Sequence, residues 1–218
     1  SIMKKERLKF LGRDSGFGDF NTSAYIEHEK EFMLIDCGFT VFERLKNDFD
    51  FNKYEKIVVL ITHLHNDHAG SLSQFILYIW FVYNKKITIV SKCKNIKEYL
   101  KITGVTEEEY ELTDKYKDVE LIKTEHVEQL DCYGIKIRDI LYTGDTKTLE
   151  PFVPYLKGIT EFYVDMSCHG GVHLKFEEVF DKLKNIKNKG IKIVLMHIDD
   201  LEYITKVNNN EFLIAKVE

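Results

Sequence analysis

Residues 57–70 read Ile-Val-Val-Leu-Ile-Thr-His-Leu-His-Asn-Asp-His-Ala-Gly, and no other stretch restricts the fold as strongly. Five apolar, mostly β-branched residues, Ile57 to Ile61, make a short run typical of a buried strand. His63, His65, Asp67 and His68 then fall within six positions of one another. Imidazole and carboxylate suit zinc, manganese or iron, and a turn can aim alternating side chains at one centre. A polar loop that is merely rich in histidine is the competing reading. Three of the chain's eight histidines lie in this single turn beside an acid, which favours a metal site.

A chain of 218 residues can bury a substantial core without staples, so one domain over residues 1–218 is expected. Its two prolines argue against disordered linkers, and the longest apolar run, 75–82, is too short to span a bilayer. The start carries charge but no apolar leader stretch, and Met3 reads as a start residue. Both point to a cytoplasmic protein. The four cysteines show no zinc-ribbon spacing and should stay reduced there. Cys37 beside Asp36 and Cys168 beside His169 could lie near a metal, or be small buried residues. A formal charge of −5, with lysines interleaved among acids, argues against stable nucleic-acid binding and fits a small anionic substrate.

In chain order, 7–12 alternates like an opening strand and ends at glycine. The loop 13–22 follows, and the glycines from Gly12 to Gly18 could present backbone N–H groups to an anion or serve only a tight turn. Phe17, Phe20 or Tyr25 could stack on a base. Segments 23–27 and 31–36 predict a hairpin, and 40–54 predicts a helix lying on the sheet. The helix after Ser71 is apolar nearly all round, through Phe75, Ile76, Ile79, Trp80 and Tyr83, so it is buried on several sides or covered by a second copy. A strand at 87–90, a helix at 95–102 and a solvated acidic face at Glu107–Glu109 come next. Strands are expected at 119–124, 133–137, 140–143, 159–166 and 191–196, with proline-broken helix at 148–156 and amphipathic helix at 173–189. The end, 203–217, reads as a strand pair around Asn208-Asn209-Asn210.

The motif His-x-His-x-Asp-His is specific. Together with Phe10-Leu11-Gly12 and Leu195-Met196-His197 it resembles the metallo-β-lactamase-fold hydrolases. The resemblance implies an α/β fold, the αββα metallo-β-lactamase sandwich of two mixed β-sheets flanked by helices. It also implies two divalent metal ions, zinc first, with manganese or iron as alternatives. On the family pattern His63, His65 and His126 hold one ion, and Asp67, His68 and His197 hold the other. Asp145, in Tyr142-Thr143-Gly144-Asp145-Thr146, bridges them. Asp36, in Asp36-Cys37-Gly38, matches an acid that orients the metal loop. Such a pair would generate hydroxide at neutral pH, with Asp67 orienting it or taking its proton.

Lactam-cleaving members typically carry cysteine where this chain has Asp145. A closer resemblance is to the tRNA 3′-processing endonucleases and related small phosphodiesterases. That group has a histidine just before a helix, matched by His173 in Cys168-His169-Gly170-Gly171-Val172-His173-Leu174. It implies that His173 stabilises the scissile phosphate or protonates the leaving oxygen, with Ser15, Gly16 and His169 as substrate-side candidates. A helix-start histidine without chemistry is the alternative for His173. The tRNA enzymes insert a long arm between the residues matched by His126 and Asp145. Here that interval is filled by two strands and a turn. The pattern Leu-Gly-Arg-Asp-Ser-Gly-Phe and Ile-Asp-Cys-Gly-Phe is similar to the phage and bacterial anti-Pycsar phosphodiesterases, which implies 3′,5′-cyclic pyrimidine nucleotides as substrates and a homodimer. The alternatives are a tRNA 3′-processing endoribonuclease, a thioester or lactone hydrolase, and a sensor module that keeps metals without turnover.

Overall fold

The computed structural model describes residues 6–218, so the start at Met3 lies outside the described residues. β1 (Lys9–Gly12), β2 (Ser23–His28) and β3 (Glu31–Ile35) form an antiparallel meander. Helix α1 (Val41–Asp48) leads to β4 (Lys56–Leu60), which lies parallel to β3. Beyond it come α2 (Asn66–Ala69), α3 (Leu72–Tyr83), β5 (Ile87–Val90), α4 (Ile96–Ile102) and β6 (Tyr110–Thr113). These six strands make one sheet in sequence order.

A second sheet repeats that plan. β7 (Val119–Lys123), β8 (Tyr133–Ile137) and β9 (Ile140–Tyr142) are antiparallel. β10 (Glu161–Asp165), β11 (Lys192–Met196) and β12 (Leu213–Ile214) continue in parallel from β9, with α5 (Phe176–Asn188) and α6 (Leu201–Asn208) in the crossovers. Parallel neighbours need crossovers, and the helices that supply them cover the sheet faces.

Three apolar layers result. Phe32, Leu34 and Val59 pack outward against Leu45, Phe75 and Ile79 of the helices. Met33, Ile35, Val58 and Leu60 face inward and meet Ile135, Tyr142, Tyr163 and Val194 of the other sheet. Phe162, Val164 and Leu195 pack against Leu183 and Ile204 of α5 and α6. Both faces of β4 are thus buried, which is why it reads as a continuous apolar run rather than alternating. Truncating one of these side chains to alanine should cost ~2–5 kcal/mol. This is the αββα sandwich with two mixed sheets. Bridges at Phe10–Val217 and Asp14–Ile198 join the first strand's region to the end of the chain.

Several local expectations need correction. The end of the chain is not a strand pair: Leu201–Asn208 is helical, with the Asp200 carboxylate accepting from the Tyr203 N–H. Asn208 is buried and bonds Phe212 through both its amide atoms, so the asparagine run closes a helix rather than a hairpin. Glu109 is not a solvated acid: it is buried and accepts from the N–H and hydroxyl of Thr106, a capping box for the turn 107–109. Helix α1 stops at Asp48, and a separate turn over Phe51–Lys53 precedes β4. The prolines hold Glu150–Tyr155 as 3-10 turns. The outer side of α3 leaves Phe81 and Val82 exposed. All four cysteines are free thiols, and three of them are buried. Among the described residues, no helix is long and apolar enough to cross a membrane.

Candidate metal centre and active site

The strand ends of both sheets converge at one edge of the sandwich. After β4 the chain delivers His63, then His65 caps α2, whose single turn carries Asp67 and His68. From the second sheet come His126 after β7, Asp145 after β9 and His197 after β11. The donor atoms fall into two groups within 4.8 Å: His63, His65, His126 and Asp145, and Asp67, His68, Asp145 and His197. Asp145 is common to both. Its Oδ2 lies 3.6 Å from His63 Nε2, 3.5 Å from His126 Nε2 and 3.2 Å from His68 Nε2, while Oδ1 lies 3.3 Å from His197 Nε2.

Four of the five rings that could ligate are backed by a neighbour, while His65 Nδ1 meets His63 Nε2 at 2.9 Å. His63 Nδ1 donates to Thr62 Oγ1 at 3.1 Å, because that hydroxyl gives its own hydrogen to Asp36 Oδ2 at 2.7 Å. His68 Nδ1 lies 2.7 Å from Asp36 Oδ2, and His126 Nδ1 donates to the Val172 carbonyl at 2.8 Å. His197 Nδ1 sits 3.4 Å from Asp165 Oδ1. Nitrogen lone pairs are thereby turned inward, the arrangement that fixes tautomer and ring orientation in metal sites. Asp36 also takes the Thr62 N–H at 2.8 Å, so it ties the start of the metal loop to its end.

The donor set fits a pair of divalent cations. His68 Nε2 and Asp145 Oδ1 are buried without a hydrogen-bond partner, although charged groups lie close by at oblique angles. Leaving such atoms unmatched costs about 1–3 kcal/mol each. Burial opposes charge on Asp145, yet His197 and His68 outweigh it and hold the carboxyl well below the usual range. Burial likewise lowers His68 and His197, but Asp145 with Asp36 lifts the first well above its ordinary value, and Asp145 with Asp165 lifts the second to about 10. Burial keeps His63 well below the ordinary value, helped by the charge on His68. Cations held here would displace the protons from His68 and His197.

His173 stands beside this cluster. It precedes α5 by three positions, in a loop rather than at the helix start, and its N–H donates to the Gly170 carbonyl. Its Nδ1 lies 2.7 Å from Asp165 Oδ2, and its ring centroid is 5.0 Å from that of His126 and 5.1 Å from that of His197. Burial draws its pKa down, but the hydrogen bond to Asp165 and the charges of Asp165 and Asp145 together raise it.

A cleft of about 700 Å³ opens over these residues, lined by His65, Asp67, Asp145, His173 and His197 among others. A family model described as anti-Pycsar protein Apyc1 matches residues 6–97 and 88–216. The chain belongs to that family. It is 27% identical over 248 residues to the anti-Pycsar protein Apyc1 of Bacillus phage 010DV004, covering 94% of each chain. Among solved structures, the metallo-β-lactamase-fold protein YhfI from Bacillus subtilis superposes with a TM-score of 0.74 at 16% identity, over 96% of this chain and 95% of that one. The short form of human tRNase Z does so with a TM-score of 0.69 at 16% identity, over 97% and 96%. The fold of this Apyc1-family chain is therefore that of the metallo-β-lactamase proteins.

Of the residues expected at the site of this Apyc1-family chain, His65, Asp67, His126, Asp145, His173 and His197 line the cleft, and His63, His68 and Asp36 are buried behind them. Ser15, Gly16 and His169 line it, and a Cβ on Gly16 would lie 3.5 Å from Asp67 Oδ2, so that loop sits directly over the metal loop. Tyr25 does not: it is buried and packs between Phe32 and Phe49, so it cannot stack on a substrate. Phe20 is exposed but lies outside the cleft lining. Cys37 is buried against Ser71 Oγ at 3.3 Å, and Cys168 lies at the rim with His169 and Asp199. Sequence reading missed Asp165, the fully buried residue shared by His173 and His197. A charged residue ending the apolar strand Glu161–Asp165 was the available signal.

Proposed function

We propose that this chain is a metal-dependent phosphodiesterase that opens 3′,5′-cyclic mononucleotides to linear monophosphates, with cyclic pyrimidine nucleotides as the substrates its family resemblance implies. The observation that carries this reading is the single carboxylate, Asp145, common to two donor groups beside the His173–Asp165 pair. Two divalent cations, zinc first, would be held by His63, His65 and His126 and by Asp67, His68 and His197, with Asp145 between them. When bound, they supply Lewis acidity for the phosphoryl oxygens and acidify water.

The protein's own groups do the rest. The His197 hydrogen bond and the neighbouring His68 hold the Asp67 carboxyl below the usual range against its burial. It is thus a poor base, suited to accept a hydrogen bond from the attacking water and aim it. As the water oxygen bonds to phosphorus, one ester P–O bond breaks and the water proton passes to solvent. His173, anchored through Nδ1, presents Nε2 to the departing oxygen and gives it a proton. Asp165 holds that ring and favours its protonated form. Ser15 and the Gly16 backbone would face the phosphate from the opposite loop. A net charge of −5 disfavours a long polyanion.

The exposed Phe81 and Val82 on α3 fit a homodimer, and a cytoplasmic location is part of the same reading. Assay of cyclic mononucleotides, cyclic dinucleotides and tRNA precursors tests it. Cyclic mononucleotides should yield linear monophosphates, with poor cleavage of tRNA. Efficient 3′ trimming of tRNA without action on any cyclic nucleotide would overturn the proposal.

A further inference from the structure

Two phenylalanines stand at the mouth of the cleft with their rings in solvent. Phe17 is fully exposed, and Phe39 is 56% exposed. Both line the cleft that contains His65, Asp67 and His173. Leaving a phenyl ring in water forfeits the burial that a core position would return. A mobile loop could lower that loss by folding the ring away. Neither ring has that freedom, because each sits on backbone that is pinned in place.

Phe17 is at the tip of a closed loop. The Asp14 N–H donates to the Phe20 carbonyl at 2.9 Å, and the Phe20 N–H donates to Asp14 Oδ2 at 3.0 Å. Inside that ring the Gly18 N–H donates to the Ser15 carbonyl at 3.0 Å, and Ser15 is tied by its N–H to the Ile198 carbonyl at 3.2 Å. Gly18 packs so closely that a Cβ there would sit 2.3 Å from the Asp14 Cβ. Phe39 is fixed from the other side. Its N–H donates to the Asn66 carbonyl at 3.1 Å. The backbone of Gly38 presses on the metal loop, since a Cβ on it would lie 2.1 Å from the Asp67 carbonyl oxygen.

The two rings therefore flank the candidate phosphate floor from separate loops. Phe17 is one residue from the approach of Gly16 to Asp67, and Phe39 is bonded through its backbone to the residue between His65 and Asp67. Asn66 itself is exposed and lines the cleft between them, and among the described residues its carboxamide makes no hydrogen bond. A free carboxamide offers a donor and an acceptor side by side. Flat aromatic faces with an unpaired amide at one rim match a nucleobase: π-faces for stacking and a polar edge for hydrogen bonds.

We infer that Phe17 and Phe39 form a stacking clamp for the base of the substrate and that Asn66 reads the base's edge. This rests on the cyclic-nucleotide reading above and adds where the base binds. Stacking tolerates any base, so the clamp supplies affinity and the carboxamide supplies preference.

The test compares a cyclic pyrimidine nucleotide with 1-O-methylribose 3′,5′-cyclic phosphate, which keeps the cyclic ester and lacks the base. Wild-type protein should favour the nucleotide in kcat/KM. Phe39→Ala and Phe17→Ala should each lower that preference about 10-fold, mainly through KM, as removal of one stacking partner does. Phe20→Ala, exposed outside the cleft, should keep the wild-type preference. Asn66→Ala, checked for full metal content, should change the ratio between cyclic nucleotides of different base, whereas the phenylalanine variants lower all of them together. Equal turnover of the two esters by wild-type protein, or an equal fall on both in the phenylalanine variants, would overturn the clamp alone. Failure of wild-type protein to cleave either cyclic ester would overturn the substrate reading and the clamp with it.

Discussion

The two halves of this molecule share one strand plan and use it differently. In each, an antiparallel meander feeds a set of parallel strands whose ends open at the site. The first half gathers His63, His65, Asp67 and His68 into a single loop after β4. The second spreads His126, Asp145, Asp165, His173 and His197 over four strand ends and a loop. Each half also buries one aspartate as a hub, Asp36 in the first and Asp165 in the second, both fully enclosed. Asp36 holds a backbone N–H, a hydroxyl and His68, all within the metal loop. Asp165 takes the Thr146 N–H and His173, and its Oδ1 has no hydrogen-bond partner. The first hub shapes a ligand cradle. The second stands behind two rings, the candidate ligand His197 and the proposed proton donor His173. On the proposed function, the same topology would give one hub to the candidate metal loop and the other to a candidate ligand and His173 together.

Substitution at the junction of the halves should have the largest effect. Asp145→Ala or His63→Ala is expected to abolish hydrolysis and lower metal content, read by elemental analysis of dialysed protein. Two tightly held ions per chain in Asp145→Ala would remove the bridging assignment and the comparison with it.

The hubs should then separate cleanly. Asp36→Ala is expected to weaken metal affinity about 10–100-fold and to destabilise the fold by about 1–3 kcal/mol, since it strands the Thr62 N–H and His68. Asp165→Asn should weaken metal affinity less than Asp36→Ala does and lower the rate by about 10²–10⁴. Equilibrium metal titration beside steady-state kinetics distinguishes the two, and a metal-affinity loss shared equally by both variants would erase the distinction.

His173→Ala sharpens the second hub. It should match Asp165→Asn in rate, and the double variant should be little worse than either single one, as coupled residues are. The deficit should shrink on esters with good leaving groups, which need no proton. An equal deficit on activated and unactivated esters leaves His173 a structural role only.

How much of this could be read from residues alone follows the same division. The loop from His63 to His68 is local, so its spacing pointed to a candidate metal site at the end of a buried strand. His126, Asp145 and His197 are distant in sequence and became visible only through the resemblance. Asp165 escaped because a lone acid at a strand end has no periodic signature. Its partner lies eight residues on, across a loop whose path Gly170 and Gly171 set with positive φ. The helix at Leu201–Asn208 was missed for a related reason: three asparagines look like a turn, and nothing local reveals that Asn208 is buried and bonded to Phe212.

The smallest effect belongs to a contact that joins the halves far from the site. Arg7 reaches Asp139 at 2.7 Å and Glu161 at 3.4 Å. The Arg7 hydrogen bond holds the Asp139 carboxyl down to about 2, from 3.8. The folded form has the lower value, so its contribution to stability is complete above pH 3.8 and is lost as pH falls through 2. Both partners are about a third exposed, which limits the contribution to a few tenths of a kcal/mol. Arg7→Ala should therefore flatten the acid limb of the stability curve slightly, with metal content and rate as in the wild type. A change in rate would show that the halves communicate through this contact.

The bridge between Phe10 and Val217 brings together residues from nearly opposite ends of the chain. Contacts of such long range form late, because closing so large a loop must precede any reward from it. The candidate ligands are divided between the same two halves, so the cradle is complete only after they have docked, and we expect that step to follow the folding barrier. Cations should then leave the folding rate nearly unchanged and slow unfolding by almost the whole of their binding energy, acting as a latch on the finished molecule rather than a template for building it. In a denaturant chevron, added zinc should lower only the unfolding arm. A matching rise in the folding arm would place the assembled site inside the transition state.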